Sequence, residues 1–205
     1  MKIFMKTILL VSLLMAVGTG YAQEVQKPGI TDTIFFDDFS GQELDREKWN
    51  VQVTGFWVNN EQQAYVDSSL TVFTVKGEEA QGANDALMLQ AHYSPGFETV
   101  DGKNFDFISG RINTKNKVMF TYGTAAAKMK LPKGSGFWPA FWALGGGKWP
   151  DTGEIDIMEY VGETDWIGVA LHGPGYSRET PLVNKYFFPE GEAVSYTHLR
   201  AHETV

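Results

Sequence analysis

Three carboxylates crowd into six residues at Glu154-Ile155-Asp156-Ile157-Met158-Glu159, with apolar side chains between them. In an extended strand successive side chains point to opposite faces, so Glu154 and Asp156 share one face while Ile155 and Ile157 turn to the core. Plain alternation would then send Glu159 into the core, where a lone charge is costly. A one-residue bulge at Ile157-Met158 resets the parity and lines up all three acids along one groove; bulges recur beside active sites. Crowding like charges raises the pKa of at least one of them, as a general acid working near neutral pH requires. Two carboxylates flanking a glycosidic bond can cleave it, with retention when they stand about 5 to 5.5 Å apart and inversion at roughly 6.5 to 9.5 Å. Neighbours on one strand favour the closer spacing. A solvated acidic strand edge and a calcium site compete with this reading, although calcium also wants amide or backbone oxygens at loop spacing.

Upstream, Gly136-Phe137-Trp138-Pro139-Ala140-Phe141-Trp142-Ala143-Leu144 places Trp138 and Trp142 at the same parity and so on one face of a strand. Indole faces stack on the C–H faces of sugar rings. Phe137 and Phe141 take the opposite parity and are the better core candidates.

The elements that must position these groups are strands. From Phe35 onward, short apolar or alternating runs are bounded every eight to twelve residues by Gly, Asn, Asp or Pro, as in all-β sandwiches. Strands are predicted near 34–39, 51–58, 70–75, 86–92, 106–113, 117–122, 125–131, 138–144, 154–160 and 166–172. Residues 40–50 suit a single helical turn, and residues 78–85 an exposed loop. The fold class is therefore all-β, a curved two-sheet antiparallel sandwich whose concave side could hold an extended ligand.

The 205 residues suffice for one sizeable domain, and the net charge of −8 repels phosphate backbones and anionic lipid surfaces, so nucleic acid is an unsuitable partner. With no cysteine, thiol nucleophiles, thiolate zinc sites and disulfides are excluded together. Gly145-Gly146-Gly147-Lys148 resembles a phosphate loop only superficially, because Trp149 stands where a magnesium-binding Ser or Thr belongs. Residues 1–22 read as a signal peptide: Lys2 and Lys6 form the basic start, residues 8–17 the apolar stretch, and Gly20-Tyr21-Ala22 the cleavage site. Residues 23–33 read as an N-terminal linker, 34–192 as one domain, expected to be partial and catalytic, and 193–205 (AVSYTHLRAHETV) as a non-native tail that abandons the preceding pattern. A secreted or periplasmic monomer, free of the membrane after cleavage, is expected.

Taken in order, FFDDFSG, LDREKWN, NNEQQAYVDS, SGRINTK, the aromatic strand, WPDTGEIDIMEYVG and LHGPGYS resemble glycoside hydrolase family 16, and within it the bacterial laminarinase-like endo-β-1,3-glucanases. The resemblance runs from about residue 35 to about residue 190. It implies a concanavalin A-like jelly roll and a retaining double displacement, with Glu154 as nucleophile, Glu159 as acid/base and Asp156 tuning the pair. It also implies that Trp138 and Trp142 stack on sugars, that Arg111 and Asn60 hydrogen-bond them, and that His172 lines the cleft. Taken alone, those last three read as a surface cation, a turn residue and a structural histidine. The implied substrate is β-1,3-glucan or mixed-linkage β-glucan, with agar- or carrageenan-type galactans as alternatives; a non-catalytic lectin-like module or an inactive fragment also remains open. No cofactor is required. Asp37-Asp38-Phe39 replaces the family's usual Asp-Glu-Phe, which leaves open the structural calcium that many members hold there. The family's chain continues past residue 190 with further strands, so the domain is expected to be incomplete.

Overall fold

A computed structural model describes residues 32–54, 59–80, 85–132, 134–162 and 165–188, together with the backbone of 197–202. The export segment and nearly all of the expected linker lie outside the described residues, as does the expected tail apart from 197–202.

The described residues are all-β, with a 3-10 turn at Gly77–Ala80. In chain order the strands are β1 (Asn50–Val51), β2 (Gln63–Tyr65), β3 (Val72–Lys76), β4 (Asp85–Leu89), β5 (His92–Glu98), β6 (Asn104–Ser109) and β7 (Ile112–Asn113), then β8 (Thr124–Met129), β9 (Ala140–Leu144), β10 (Glu154–Glu159), β11 (Trp166–His172), β12 (Leu182–Phe187) and β13 (Thr197–His202). The carboxylate strand is internal to a four-stranded sheet of order β12-β11-β10-β9, while β2-β6-β5 form a second sheet and β3-β4, β1-β7 and β13-β8 pair separately. All pairings are antiparallel except β2 with β6. β12 has one hydrogen-bonded neighbour among the described residues, and all six of its residues are exposed.

Two apolar clusters hold the strands. Beneath the carboxylate strand, Phe141, Ala143, Ile157, Met158, Tyr160 and Ile167 pack with Ala125 and Leu131. Met158 and Ile167 are 0% exposed, and each such side chain contributes about 2 to 3 kcal/mol by leaving water. The other cluster gathers Phe35, Leu44, Trp49 and Val72.

Several strand expectations need correction: the strand expected over 106–113 divides at Gly110-Arg111 into β6 and β7, which lie in different sheets. Residues 34–39 form no strand: the Phe39 amide donates to Asp37 Oδ1 (2.9 Å), an Asx turn that replaces a ladder bond, and Phe39 has φ 56°. Residues 117–122 form none either, because the amides of Lys117 and Val118 close a turn onto the Thr114 carbonyl (2.9 and 3.1 Å). The strand expected over 51–58 is short: β1 ends at Val51, Thr54 makes an isolated bridge to Tyr65, and residues 55–58 lie outside the described set. The helical turn expected in 40–50 is present, closed by the Trp49 amide on the Asp45 carbonyl (2.9 Å). The expected loop over 78–85 is shorter than anticipated, since the 3-10 turn covers its start and Asp85 opens β4.

Candidate active site

The bulge lies where the acid spacing requires it. Against β9, Asp156 opposes Trp142 and Met158 opposes the next residue, Phe141, so Ile157 is the extra residue. Against β11, Asp156 opposes Ala170 while Glu159 opposes Gly168, three steps against two. Ile157 and Met158 both sink into the core at this kink, and Glu159 thereby returns to the side of Glu154 and Asp156. The three carboxylates then act on one another: the charges of Glu154 and Glu159 both raise Asp156, and that of Glu154 raises Glu159.

Each outer acid is held by an indole. Trp149 Nε1 donates to Glu154 Oε2 (2.6 Å), and Trp138 Nε1 donates to Glu159 Oε1 (2.9 Å). Asp156 is 5% exposed, and its Oδ2 lies 3.2 Å from His172 Nε2. Burial first, and then the two neighbouring charges, pushes the Asp156 carboxyl up to about 8, so at neutral pH it holds its proton. Burial also raises Glu159, partly opposed by the Trp138 N–H and by His172. His172 stands directly across the strand pair from Glu154, and its Nδ1 is buried without a protein partner.

The tryptophan pair does not share a regular strand. Trp142 lies in β9, whereas Trp138 precedes it and is 43% exposed. Residues 137–139 still run alongside β10's end, with the Tyr160 amide on the Pro139 carbonyl and the Gly162 amide on the Phe137 carbonyl (both 3.1 Å), and this aims Trp138 at Glu159. Phe141 is core as expected, but Phe137 is 39% exposed, because the irregular stretch before Ala140 breaks the parity. One face of Trp142 is covered by the Arg111 guanidinium, 4.5 Å from the ring centroid. On its other side Arg111 lies over Tyr65 (5.4 Å), whose hydroxyl donates to Glu61 Oε2 (2.6 Å) while Gln63 Nε2 donates to the same oxygen (2.8 Å). Burial and that carboxylate push the Tyr65 hydroxyl up to about 12. Arg111 Nε is buried without a partner among the described residues. Asn60 is exposed on the turn before β2, next to Glu61.

Sequence reasoning missed Trp149 and Tyr65. Trp149 sits in the β9–β10 connection, the segment that superficially resembles a phosphate loop; the Gly145 amide bonds the Gly153 carbonyl (3.0 Å) and closes it as a hairpin. Its place five residues ahead of Glu154 in WPDTGE was the available signal.

Calcium does not fit at Asp37. Its Oδ1 takes the Phe39 amide, its Oδ2 takes Trp49 Nε1 (2.7 Å), and the Lys48 ammonium stands 3.8 Å from Oδ2. A carboxylate already bonded by N–H donors beside a cation offers a hard divalent ion little. Among the described residues no group of three or more His, Asp or Glu side chains could hold a metal.

The family model described as "XgeA-like, catalytic GH16 domain" matches residues 78–185, more than half of the chain. The chain is 31% identical over 185 residues to a β-glucanase of Rhodothermus marinus, covering 86% of this chain and 60% of that protein. It is 33% identical over 176 residues to the glucan endo-1,3-β-glucosidase A1 of Niallia circulans, covering 78% of this chain and 24% of that protein. It thus spans less than two thirds of the length of either relative. The crystal structure of the laminarinase catalytic domain of Thermotoga maritima MSB8 superposes with a TM-score of 0.71 at 29% identity, over 82% of this chain and 68% of that one. The all-β architecture is therefore that of a jelly-roll laminarinase domain. A strand bulged at Ile157, two indole-held glutamates and a buried aspartate between them sit within that matched span, and the chain belongs to glycoside hydrolase family 16.

Proposed function

We propose that the chain is an exported, monomeric endo-acting hydrolase that cleaves β-1,3-glucan of the laminarin type, or mixed-linkage β-glucan, with retention of configuration. The observation that carries the reading is the bulge at Ile157, which sets Glu154 and Glu159 on one face with a separate indole donor on each. Glu154, held in place by the Trp149 N–H, attacks the anomeric carbon while Glu159 gives its proton to the departing glycosidic oxygen. Esterification of Glu154 removes its negative charge, and that charge is one of the causes holding Glu159 up. The Glu159 pKa therefore falls once the intermediate forms, and the group that was an acid becomes the base that activates water. Asp156, protonated at neutral pH, adds no third charge to the pair and can share its proton with His172 Nε2.

Release of reducing ends from laminarin, with lichenan and agarose as controls, tests the substrate. Glu154→Gln should abolish turnover, and an unchanged rate would refute the nucleophile. Binding of laminarin without release of reducing ends from any glucan would favour the lectin-like reading. Export rests on residues 1–22, and recovery of the expressed chain uncleaved in the cytoplasm would remove it.

A further inference from the structure

The loop after β11 carries a cation that the reaction scheme leaves unused. Glu154 stands opposite His172 in the antiparallel β10–β11 pair, so the residues before Glu154 and those after His172 leave the sheet at the same end. Trp149 belongs to the first of these segments and Arg178 to the second. The Arg178 guanidinium lies over the Trp149 ring, with Cζ 5.7 Å from the centroid, and the His172 ring meets the same indole at 6.0 Å. That indole donates to Glu154 Oε2 (2.6 Å), which leaves Arg178 one side chain removed from the nucleophile.

The backbone holds Arg178 in a conformation its type rarely adopts. Its φ is 57°, in the left-handed region where glycine is the default and a residue with a Cβ is strained. The Ser177 carbonyl accepts both the Thr180 amide (3.1 Å) and the Thr180 hydroxyl (3.2 Å), closing a turn around Arg178 and Glu179. Just ahead, Gly173 and Tyr176 exchange both backbone bonds (2.9 and 3.1 Å), and a Cβ on Gly173 would stand 2.4 Å from the Tyr176 hydroxyl oxygen. Arg178 is thus presented on a closed turn, at an exposed position where glycine would fold with less strain. Strain of this kind clusters at functional sites, and the contact on Trp149 is the use this geometry offers. On the other side, the β9–β10 hairpin is tied by the Thr152 amide on the Lys148 carbonyl (3.1 Å) and the Gly153 amide on the Pro150 carbonyl (2.9 Å). Those bonds fix the backbone from which Trp149 springs, and its contacts with His172 and Arg178 bear on how the indole is oriented.

We propose that Arg178 is a positioning residue: set against Trp149, it keeps the indole N–H on Glu154 and so holds the carboxyl in its attacking orientation. The proposal rests on the reading of Glu154 as nucleophile and adds to it a residue that acts without touching sugar. It is tested on the full chain with Arg178→Gly and Arg178→Lys, by reducing-end kinetics on laminarin, by thermal melts, and by the indole N–H signals in a proton–nitrogen correlation spectrum. The Trp149 signal is identified by its loss in Trp149→Phe. Arg178→Gly should move that signal and lower kcat about threefold with KM little changed, while the melting temperature holds or rises by a few degrees as the strain is relieved. An arginine with a merely structural role would lower the melting temperature on removal. Arg178→Lys keeps a cation and should recover part of the lost kcat without the gain in melting temperature. In a Trp149→Phe background, Arg178→Gly should change kcat no further, because the donor it positions is gone. An unmoved Trp149 signal, an equal loss of kcat in both backgrounds, or a raised KM at constant kcat, the mark of a direct sugar contact, would overturn the proposal. If the parent chain releases no reducing ends, the hydrolase reading falls by itself, and the Trp149 signal still decides whether Arg178 holds the indole.

Discussion

Each of the outer acids takes the nitrogen of a different indole. The Trp149 bond holds the Glu154 carboxyl in place, and hydrogen bonds to charged groups contribute about 1.5 to 3 kcal/mol. Trp149→Phe keeps an aromatic ring near His172 and Arg178, which contact the indole at 6.0 and 5.7 Å, and removes the donor. The expected outcome is a kcat lower by about tenfold or more with KM little changed; an unchanged kcat would show that the bond does not position Glu154. Asp156 carries a different consequence. Its folded pKa of about 8 stands above the usual carboxylate value, set by burial and by Glu154 and Glu159, with His172 facing it. The folded state therefore binds a proton that the unfolded state has lost, and stability falls as pH rises from about 4 through 8. Asp156→Asn should flatten that fall by a few kcal/mol, as read from urea unfolding at several pH values, and parallel curves for the two proteins would contradict it.

At the scale of elements, Arg111 owes its position to the glycine before it. A Cβ on Gly110 would stand 2.3 Å from the Thr71 carbonyl oxygen and 2.8 Å from Val72 Cγ2, and Thr71 is fully buried, so the backbone cannot give way cheaply. Gly110→Ala should cost about 1 to 3 kcal/mol in stability, lower the melting temperature, and raise KM more than it lowers kcat, because it moves Arg111 and not the acids. The carboxylate strand and its bulge were legible in the sequence because Glu154, Asp156 and Glu159 cannot share a face otherwise. The bond from Trp149 was not, since it depends on how the β9–β10 hairpin folds back. β5 stayed hidden because Pro95 and Gly96 interrupt it, and the ladder is irregular between Tyr93 and Phe97. The strand expected at 34–39 failed for a local reason: the Asp37 side chain captured the Phe39 amide that a neighbouring strand would have taken. Lys117 donates to the Trp49 carbonyl (2.6 Å) and to the Arg46 carbonyl, an arrangement that only the folded turn creates.

Across the whole molecule the two apolar clusters divide the labour, one beneath the catalytic sheet and one around Trp49. The all-β class followed from strand periodicity, but the distribution of strands among sheets did not, because pairings such as β1 with β7 and β2 with β6 join segments far apart in sequence. β12 escaped notice because Leu182-Val183-Asn184-Lys185-Tyr186-Phe187 lacks a two-residue alternation, as suits a strand with neither face buried. That strand also governs how the molecules behave toward one another in a concentrated solution. Among the described residues β12 has one neighbour, and there Leu182, Val183, Tyr186 and Phe187 offer an apolar ribbon, a template for intermolecular pairing. Lys185 is the charge in its midst, held with its ammonium 3.8 Å from the centroid of the Trp166 ring, and acts as a gatekeeper against such stacking. Lys185→Val should leave turnover intact yet raise light scattering at high protein concentration, because one lysine remote from the carboxylates restrains self-association.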